Sequence, residues 1–140
     1  MDANTTLPKT TAFLHRAYAA EPRAELAEAT HALWRERTGT ELAIVGGSGA
    51  QAMSIAFYSP GKTRLWSPAV PENTPWLTAA DWRRAGGLIV CTADDSACEQ
   101  MAHRLVAAPP VVVTVSKKAW GLTLPARSYR LFFSEKSSAD

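Results

Sequence analysis

The sequence has no long apolar run. Apolar runs such as Leu88–Cys91 and Pro109–Val113 fall far short of the roughly 20 residues that a membrane helix requires. The first 20 residues lack the apolar core of a signal peptide. An excess of charge of one sign is also missing: 15 Lys and Arg face 13 Asp and Glu, a net charge of +2, which gives no electrostatic case for nucleic acid. With two cysteines in 140 residues, the chain is no disulfide scaffold. It has no His-x-x-x-His, Cys-x-x-Cys or Asp-rich loop, so no spacing supports a metal site. No internal repeat, low-complexity tract or dividing linker is visible. What remains is a globular composition, 46% hydrophobic and 20% charged. The length suits one domain that buries about two-thirds of the surface of its unfolded chain. By itself such a chain reads as soluble and untargeted, and no motif announces a reaction.

The local patterns give an order of elements. Residues 1–21 read as a partly ordered N-terminal arm, semi-apolar over Ala12–Ala20, and residues 134–140 as a polar tail; the domain proper is 22–133. Pro22 opens an amphipathic helix, with Leu26, Ala29, Leu33 and Arg37 in register and Trp34 beside them, that stops at Gly39. Glu41–Val45 reads as a strand, Gly46–Gly49 as a tight turn, and Ala50–Tyr58 as a helix apolar nearly all round and so buried on most sides. A strand at Thr63–Ser67 leads into a loop with Pro68, Pro71 and Pro75. Thr78 with Asp81 has the spacing of a capping box. Leu88–Cys91 and Val111–Val115 have the continuous apolar character of strands covered on both faces. Between them Asp94, Asp95 and Ser96 cap a helix with Cys98, Met101, Ala102 and Leu105 on its apolar stripe. Trp120–Leu124 has no clear pattern, and Arg127–Phe133 reads as a last strand. This alternation predicts an α/β fold: a three-layer sandwich with a mostly parallel sheet, helices on both faces, and a last strand open to antiparallel pairing at the edge.

Six constellations bear on function. Gly47-x-Gly49-x-x-Ala52 follows a strand and opens a helix, a loosened dinucleotide fingerprint whose backbone N–H groups and helix dipole would face an anion. The acid expected after the next strand is absent, since Leu65-Trp66-Ser67-Pro68 stands there; the plainer reading is a turn that needs glycine for φ > 0 and close packing. Gly46-x-Ser48-x-Ala50 nearly spells a nucleophile elbow, with Asp94, Asp95 and His103 following in hydrolase order, but His103 falls within a helix. His15, His31 and His103 read as isolated, partly exposed helix residues. Cys91 and Cys98 flank one strand-to-helix turn: an oxidising compartment would allow a disulfide, and otherwise they are small core residues, with the free form expected. Of five tryptophans, Trp76 and Trp82 flank a helix start beside the proline-rich loop, where they either stack on a sugar or partner or fill an irregular core. Arg83-Arg84 and Lys117-Lys118 read as solvated pairs.

Several segments together carry a resemblance. Ala32-Leu33-Trp34-Arg35-Glu36-Arg37-Thr38-Gly39 runs into Leu42-Ala43-Ile44-Val45-Gly46-Gly47. Ala56-Phe57-Tyr58-Ser59-Pro60, Pro75-Trp76-Leu77 and Asp81-Trp82-Arg83-Arg84-Ala85-Gly86-Gly87-Leu88-Ile89-Val90 follow. Over residues 22–133 the chain resembles the C-terminal soluble domain of bacterial integral-membrane glycosyltransferases similar to the dolichyl-phosphate-mannose protein mannosyltransferases. The resemblance implies a fragment of an inner-membrane protein, facing the periplasm, whose whole chain transfers sugar from a polyprenyl-phosphate donor. Its partners would be the transmembrane region of the same chain and a glycan or lipid-linked acceptor. The family's catalytic acid lies in a loop between early membrane helices and has no counterpart here, so no catalytic residue, metal or cofactor is carried over. A missing signal peptide fits, since upstream membrane helices would direct targeting.

The first expectation is therefore a non-catalytic domain that aids acceptor recognition or covers the membrane active site. It would use the C-terminal edge of the sheet, with Gly47, Ser48, Gly49, Gln51, Trp76 and Asp81 as binding residues. The alternatives are a free-standing small-ligand or nucleotide-binding α/β protein using the Gly46–Gly49 turn, and a small serine hydrolase built on Ser48.

Overall fold

A computed structural model describes residues 21–135. The arm over residues 1–20, with Ala12–Ala20 and His15, and the tail beyond residue 135 lie outside them. The described chain is a mixed α/β fold with an open five-stranded sheet and four α-helices. Its elements are α1 (Arg23–Thr38), β1 (Ile44–Gly47), α2 (Gly49–Phe57), β2 (Arg64–Leu65), a short 3-10 turn (Pro71–Asn73), α3 (Ala79–Ala85), β3 (Gly87–Thr92), α4 (Ser96–Leu105), β4 (Val111–Val115), β5 (Lys118–Ala119), β6 (Leu122–Thr123) and β7 (Arg127–Ser134).

The sheet order is β2-β1-β3-β7-β4. β1 pairs in parallel with β2 and β3, and β7 pairs antiparallel with β3 and with β4. The last strand is thus antiparallel, but it lies inside the sheet and not at its edge. Its residues suit the place: Tyr129, Leu131, Phe132 and Phe133 are all buried, divided between the two clusters on either side of the strand. The edge falls instead to β4. Its Val111–Val115 run, expected to be covered on both faces, alternates between half-buried and exposed residues. β-branched residues suit such a half-buried pleated surface, where they pack against cross-strand and same-face neighbours.

The core forms two clusters that take alternate residues of the strands. One holds Val45, Leu88, Val90, Leu131 and Phe133 with Leu26, Ala27 and Trp34 of α1 and Ala52 and Ile55 of α2. The other holds Ile44, Ile89, Cys91 and Phe132 with Trp66, Leu77, Trp82 of α3 and Cys98, Met101 and Ala102 of α4. Two helices differ from their sequence patterns. In α1 the buried face is Leu26, Thr30 and Trp34 with Ala27 and His31, while Arg37 is exposed; a buried Thr and His displaced the stripe that apolar residues alone would draw. In α2 only Ala52, Ser54 and Ile55 are buried, and Phe57 is 80% exposed with Met53 beside it at i−4. That helix packs on one side only, although its apolar residues run all round.

The turn chemistry is local and follows the sequence. Gly39 caps α1 in the left-handed conformation. Thr78 and Asp81 form a full capping box on α3. Lys118–Thr123 folds as a hairpin whose two loop residues, Trp120 and Gly121, both have positive φ.

Cys91 and Cys98 are joined by a disulfide, with Cα atoms 5.7 Å apart. This corrects the expected free thiols: β3 ends and α4 begins close enough for the bridge, a proximity that spacing alone does not fix. Closing so short a loop stabilises by about 2–3 kcal/mol. Urea unfolding with and without reductant should therefore differ by that amount; equal midpoints would show that the bridge contributes nothing.

Candidate functional site

In open sheets of this kind ligands favour the crevice at the carboxyl ends of the strands, where successive connections leave in opposite directions. Here that point lies between β1 and β3. The chain leaves β1 into α2, which packs in the first cluster, and leaves β3 into α4, which packs in the second. A crevice of about 260 Å³ opens beside this point, lined by Gly47, Ser67, Pro68, Val70, Asn73, Asp95, Cys98 and Met101 among others.

Gly47 sets the geometry of the turn. Its φ is +122°, and a Cβ there would stand 2.0 Å from the Val90 carbonyl oxygen. A Cβ at Gly46 would stand 2.6 Å from the Trp66 carbonyl oxygen. The first two glycines are therefore demanded by packing. Gly49 has no such reason, because it is exposed and nothing lies within 4 Å of its Cβ position.

Ser48 follows as the N-cap of α2 and is 7% exposed. Its N–H donates to the Val90 carbonyl at 2.8 Å. Its Oγ donates to Asp95 Oδ2 at 2.8 Å and accepts from the Thr92 N–H at 3.1 Å. Asp95, the N-cap of α4, accepts the Cys98 N–H on its other oxygen at 3.1 Å. One carboxylate thus occupies the position at the start of α4 that an anionic ligand would take. The Ser48 hydroxyl is fully engaged in tying the turn after β1 to the turn after β3.

The remaining expected residues fall elsewhere. Gln51 donates to Glu21 at 2.9 Å. Glu21 also receives Arg127 and the Tyr129 hydroxyl, so this group fastens the start of α1 to α2 and β7. Burial, followed by the Glu21 hydrogen bond and charge, pushes the Tyr129 phenol above its ordinary range. Trp76 is 61% exposed and does not line the crevice, while Trp82 is buried against Trp66 with ring centres 5.1 Å apart. Asp81 serves its own helix: it accepts the Thr78 N–H at 2.9 Å and pairs with Arg84. His103, exposed, packs edge-on against Phe132 and makes no hydrogen bond to Ser48 or Asp95. The fold therefore brings Gly47, Ser48 and Asp95 together, and leaves Gln51, Trp76, Asp81 and His103 outside the crevice. Sequence reading missed Asn73 and the crevice role of Asp95, which it took for a helix cap or an acid in hydrolase order; the available signal was the acid at the start of α4, on the connection next to the glycine turn.

The Thr78 N–H and hydroxyl, and then Arg84 and Arg64, hold the Asp81 carboxyl below the ordinary carboxylate range. A carboxyl depressed by folding adds stability that is present above its unfolded pKa and is lost as pH falls through its folded value. An NMR titration of Asp81 should give a midpoint below that of an unstructured peptide, with the capping of α3 weakening only under stronger acid; a midpoint at the peptide value would contradict the capping geometry.

No family model matches the chain, and neither a curated protein nor a solved structure matches it. Among the described residues, no helix is long and apolar enough to cross a membrane.

Proposed function

We propose that the chain is the non-catalytic soluble domain of a bacterial inner-membrane glycosyltransferase, similar to the dolichyl-phosphate-mannose protein mannosyltransferases, and that it faces the periplasm. On this reading the fold is a three-layer sandwich with helices on both faces, and the two core clusters support that layering. The parent chain moves sugar from a polyprenyl-phosphate donor, and this domain helps hold the acceptor or covers the membrane active site. The crevice between β1 and β3 is its contact surface, with Gly47, Asn73 and Asp95 at its wall and Trp76 on the neighbouring loop.

The observation that carries the non-catalytic part is the state of Ser48. A Ser-His-Asp triad sets an imidazole between the hydroxyl and the acid; here the buried Ser48 hydroxyl donates directly to the Asp95 carboxylate and accepts the Thr92 N–H, and His103 lies against Phe132. The disulfide supports the compartment, because such bonds persist where the surroundings are oxidising. A second reading, a small-ligand-binding α/β protein using the same crevice, is favoured by the placement of that crevice at the reversal of the sheet connections. The nucleotide version has less support, since Asp95 sets its own charge at the start of α4.

The test is a ¹⁵N NMR titration with nanodiscs that carry a polyprenyl-phosphate sugar, run beside an assay of sugar transfer by this chain alone. Shifts at Gly47, Asn73 and Asp95 without turnover are expected. Turnover by the isolated chain overturns the proposal, and so does a response confined to the opposite edge of the sheet.

A further inference from the structure

The small β5–β6 hairpin stands apart from the five-stranded sheet, and its tip breaks the usual rule for such turns. The two loop residues, Trp120 and Gly121, have φ of +53° and +76°. A turn with positive φ at both positions favours Asn-Gly, and a bulky side chain rarely takes that conformation. Burial does not offset the strain, because Trp120 is 82% exposed. Leu122, directly after the turn, is 63% exposed. Backbone outliers of this kind cluster at functional sites.

The charge around the hairpin is one-sided. From Gln100 to Ser134 the chain carries Arg104, Lys117, Lys118, Arg127 and Arg130, and no Asp or Glu. Arg127 pairs with Glu21 and Arg130 with Glu99. Lys117 and Lys118, at the foot of the hairpin, make no ion pair among the described residues. An exposed indole and an exposed leucine thus stand beside two uncompensated positive charges. A second copy of the chain would bring the same charges and be repelled. A bilayer surface suits both features, since Trp settles at the level of the headgroups and anionic lipids attract Lys. The hairpin joins β4 to β7 where Val115 pairs with Arg127, and Tyr129 close by pairs with Thr92 at the end of β3. It therefore lies at the end of the sheet that holds the crevice.

We propose that this hairpin docks the domain on the surface of an anionic bilayer, with Trp120 and Leu122 among the headgroups and Lys117 and Lys118 on lipid phosphates. The inference stands on the hairpin and does not rest on the glycosyltransferase reading. A bilayer docked there lies at the crevice end of the domain.

Co-sedimentation of the full chain with vesicles of phosphatidylglycerol and phosphatidylethanolamine in equal parts tests it, beside vesicles of phosphatidylcholine alone. Binding to the anionic vesicles should exceed binding to the neutral ones and weaken as salt rises. Lys117→Gln together with Lys118→Gln should weaken it about thirtyfold. Trp120→Asn suits the turn better, so its thermal unfolding midpoint should stay level or rise, while its vesicle binding should fall about tenfold. A residue with a purely structural role would not show that opposition. Lipids brominated in the acyl chain should quench the tryptophan emission of the wild type and not that of Trp120→Asn. No binding to the anionic vesicles overturns the proposal, and so does equal binding to the neutral ones. Binding left unchanged by either variant, or quenching that survives in Trp120→Asn, overturns it as well. Self-association without vesicles that Trp120→Asn abolishes would assign the tip to a second copy of the chain and overturn it too.

Discussion

Gly47→Ala should abolish the native fold or destabilise it by about 4 kcal/mol or more. Two costs coincide at this residue. Its φ of +122° lies where side chains are strained, and the new methyl would stand 2.0 Å from the Val90 carbonyl oxygen, with Val90 N at 2.8 Å. Backbone is the obstacle, so no side chain can rotate away. β1 and β3 would have to separate where they pair at Gly47 and Val90, and the Ser48 N–H bond to Val90 would break with them. A loss of that size removes much of the 5–15 kcal/mol typical of a domain, an order-of-magnitude range. Gly49→Ala, two residues on, is the matched control. Its Cβ meets nothing within 4 Å, and alanine favours a helix, so stability should stay level or rise by up to about 1 kcal/mol. Urea denaturation of the pair, followed by tryptophan fluorescence, checks both. Equal stability for the two variants would mean that the close contact of β1 with β3 is misplaced.

The second large effect is expected at Trp82. It is 2% exposed, stacks at a tilt on Trp66, and lies where a Cβ on Gly87 would stand 2.3 Å from its ring. Trp82→Ala leaves a cavity beneath the proline-rich loop and should cost about 3–5 kcal/mol. Trp76→Ala, at a 61% exposed site six residues earlier, should change stability by no more than about 0.5 kcal/mol. The contrast separates the two roles open to this aromatic pair: Trp82 is core, while Trp76 remains available to a partner. Thermal unfolding of both variants suffices. A small loss at Trp82 or a large one at Trp76 would contradict the packing described.

Legibility in the sequence followed the range of each interaction. The ends of α1, the capping box of Thr78 and Asp81, and the Asp95 cap rest on residues three or four apart, and their chemistry can be read in place. The position of β7 between β3 and β4 rests on pairings such as Leu88 with Phe133 and Val111 with Leu131, which no local pattern encodes. Burial was misread wherever residue type and environment diverged. Thr30 and His31 are polar and buried, while Met53, Phe57 and Val112 are apolar and exposed. The crevice divides in the same way. The need for glycine at position 47 was visible as a strand-to-helix turn. The Ser48 bond to Asp95 spans 47 positions and becomes visible only once two strands are set side by side. Gln51 and Asp81 are polar residues beside a turn and a helix start, and local features of that kind do not distinguish a ligand contact from a tether to Glu21 or a helix cap.

On the function proposed above, the domain contributes contacts to a larger membrane transferase, and the bond-making groups lie elsewhere in the same polypeptide. Sequencing the parent genome on the 5′ side of the first codon tests this most directly. The account predicts one continuous reading frame that encodes a series of apolar segments, each about 20 residues long, leading into this domain. A stop codon close upstream, with translation beginning at this domain, would contradict it.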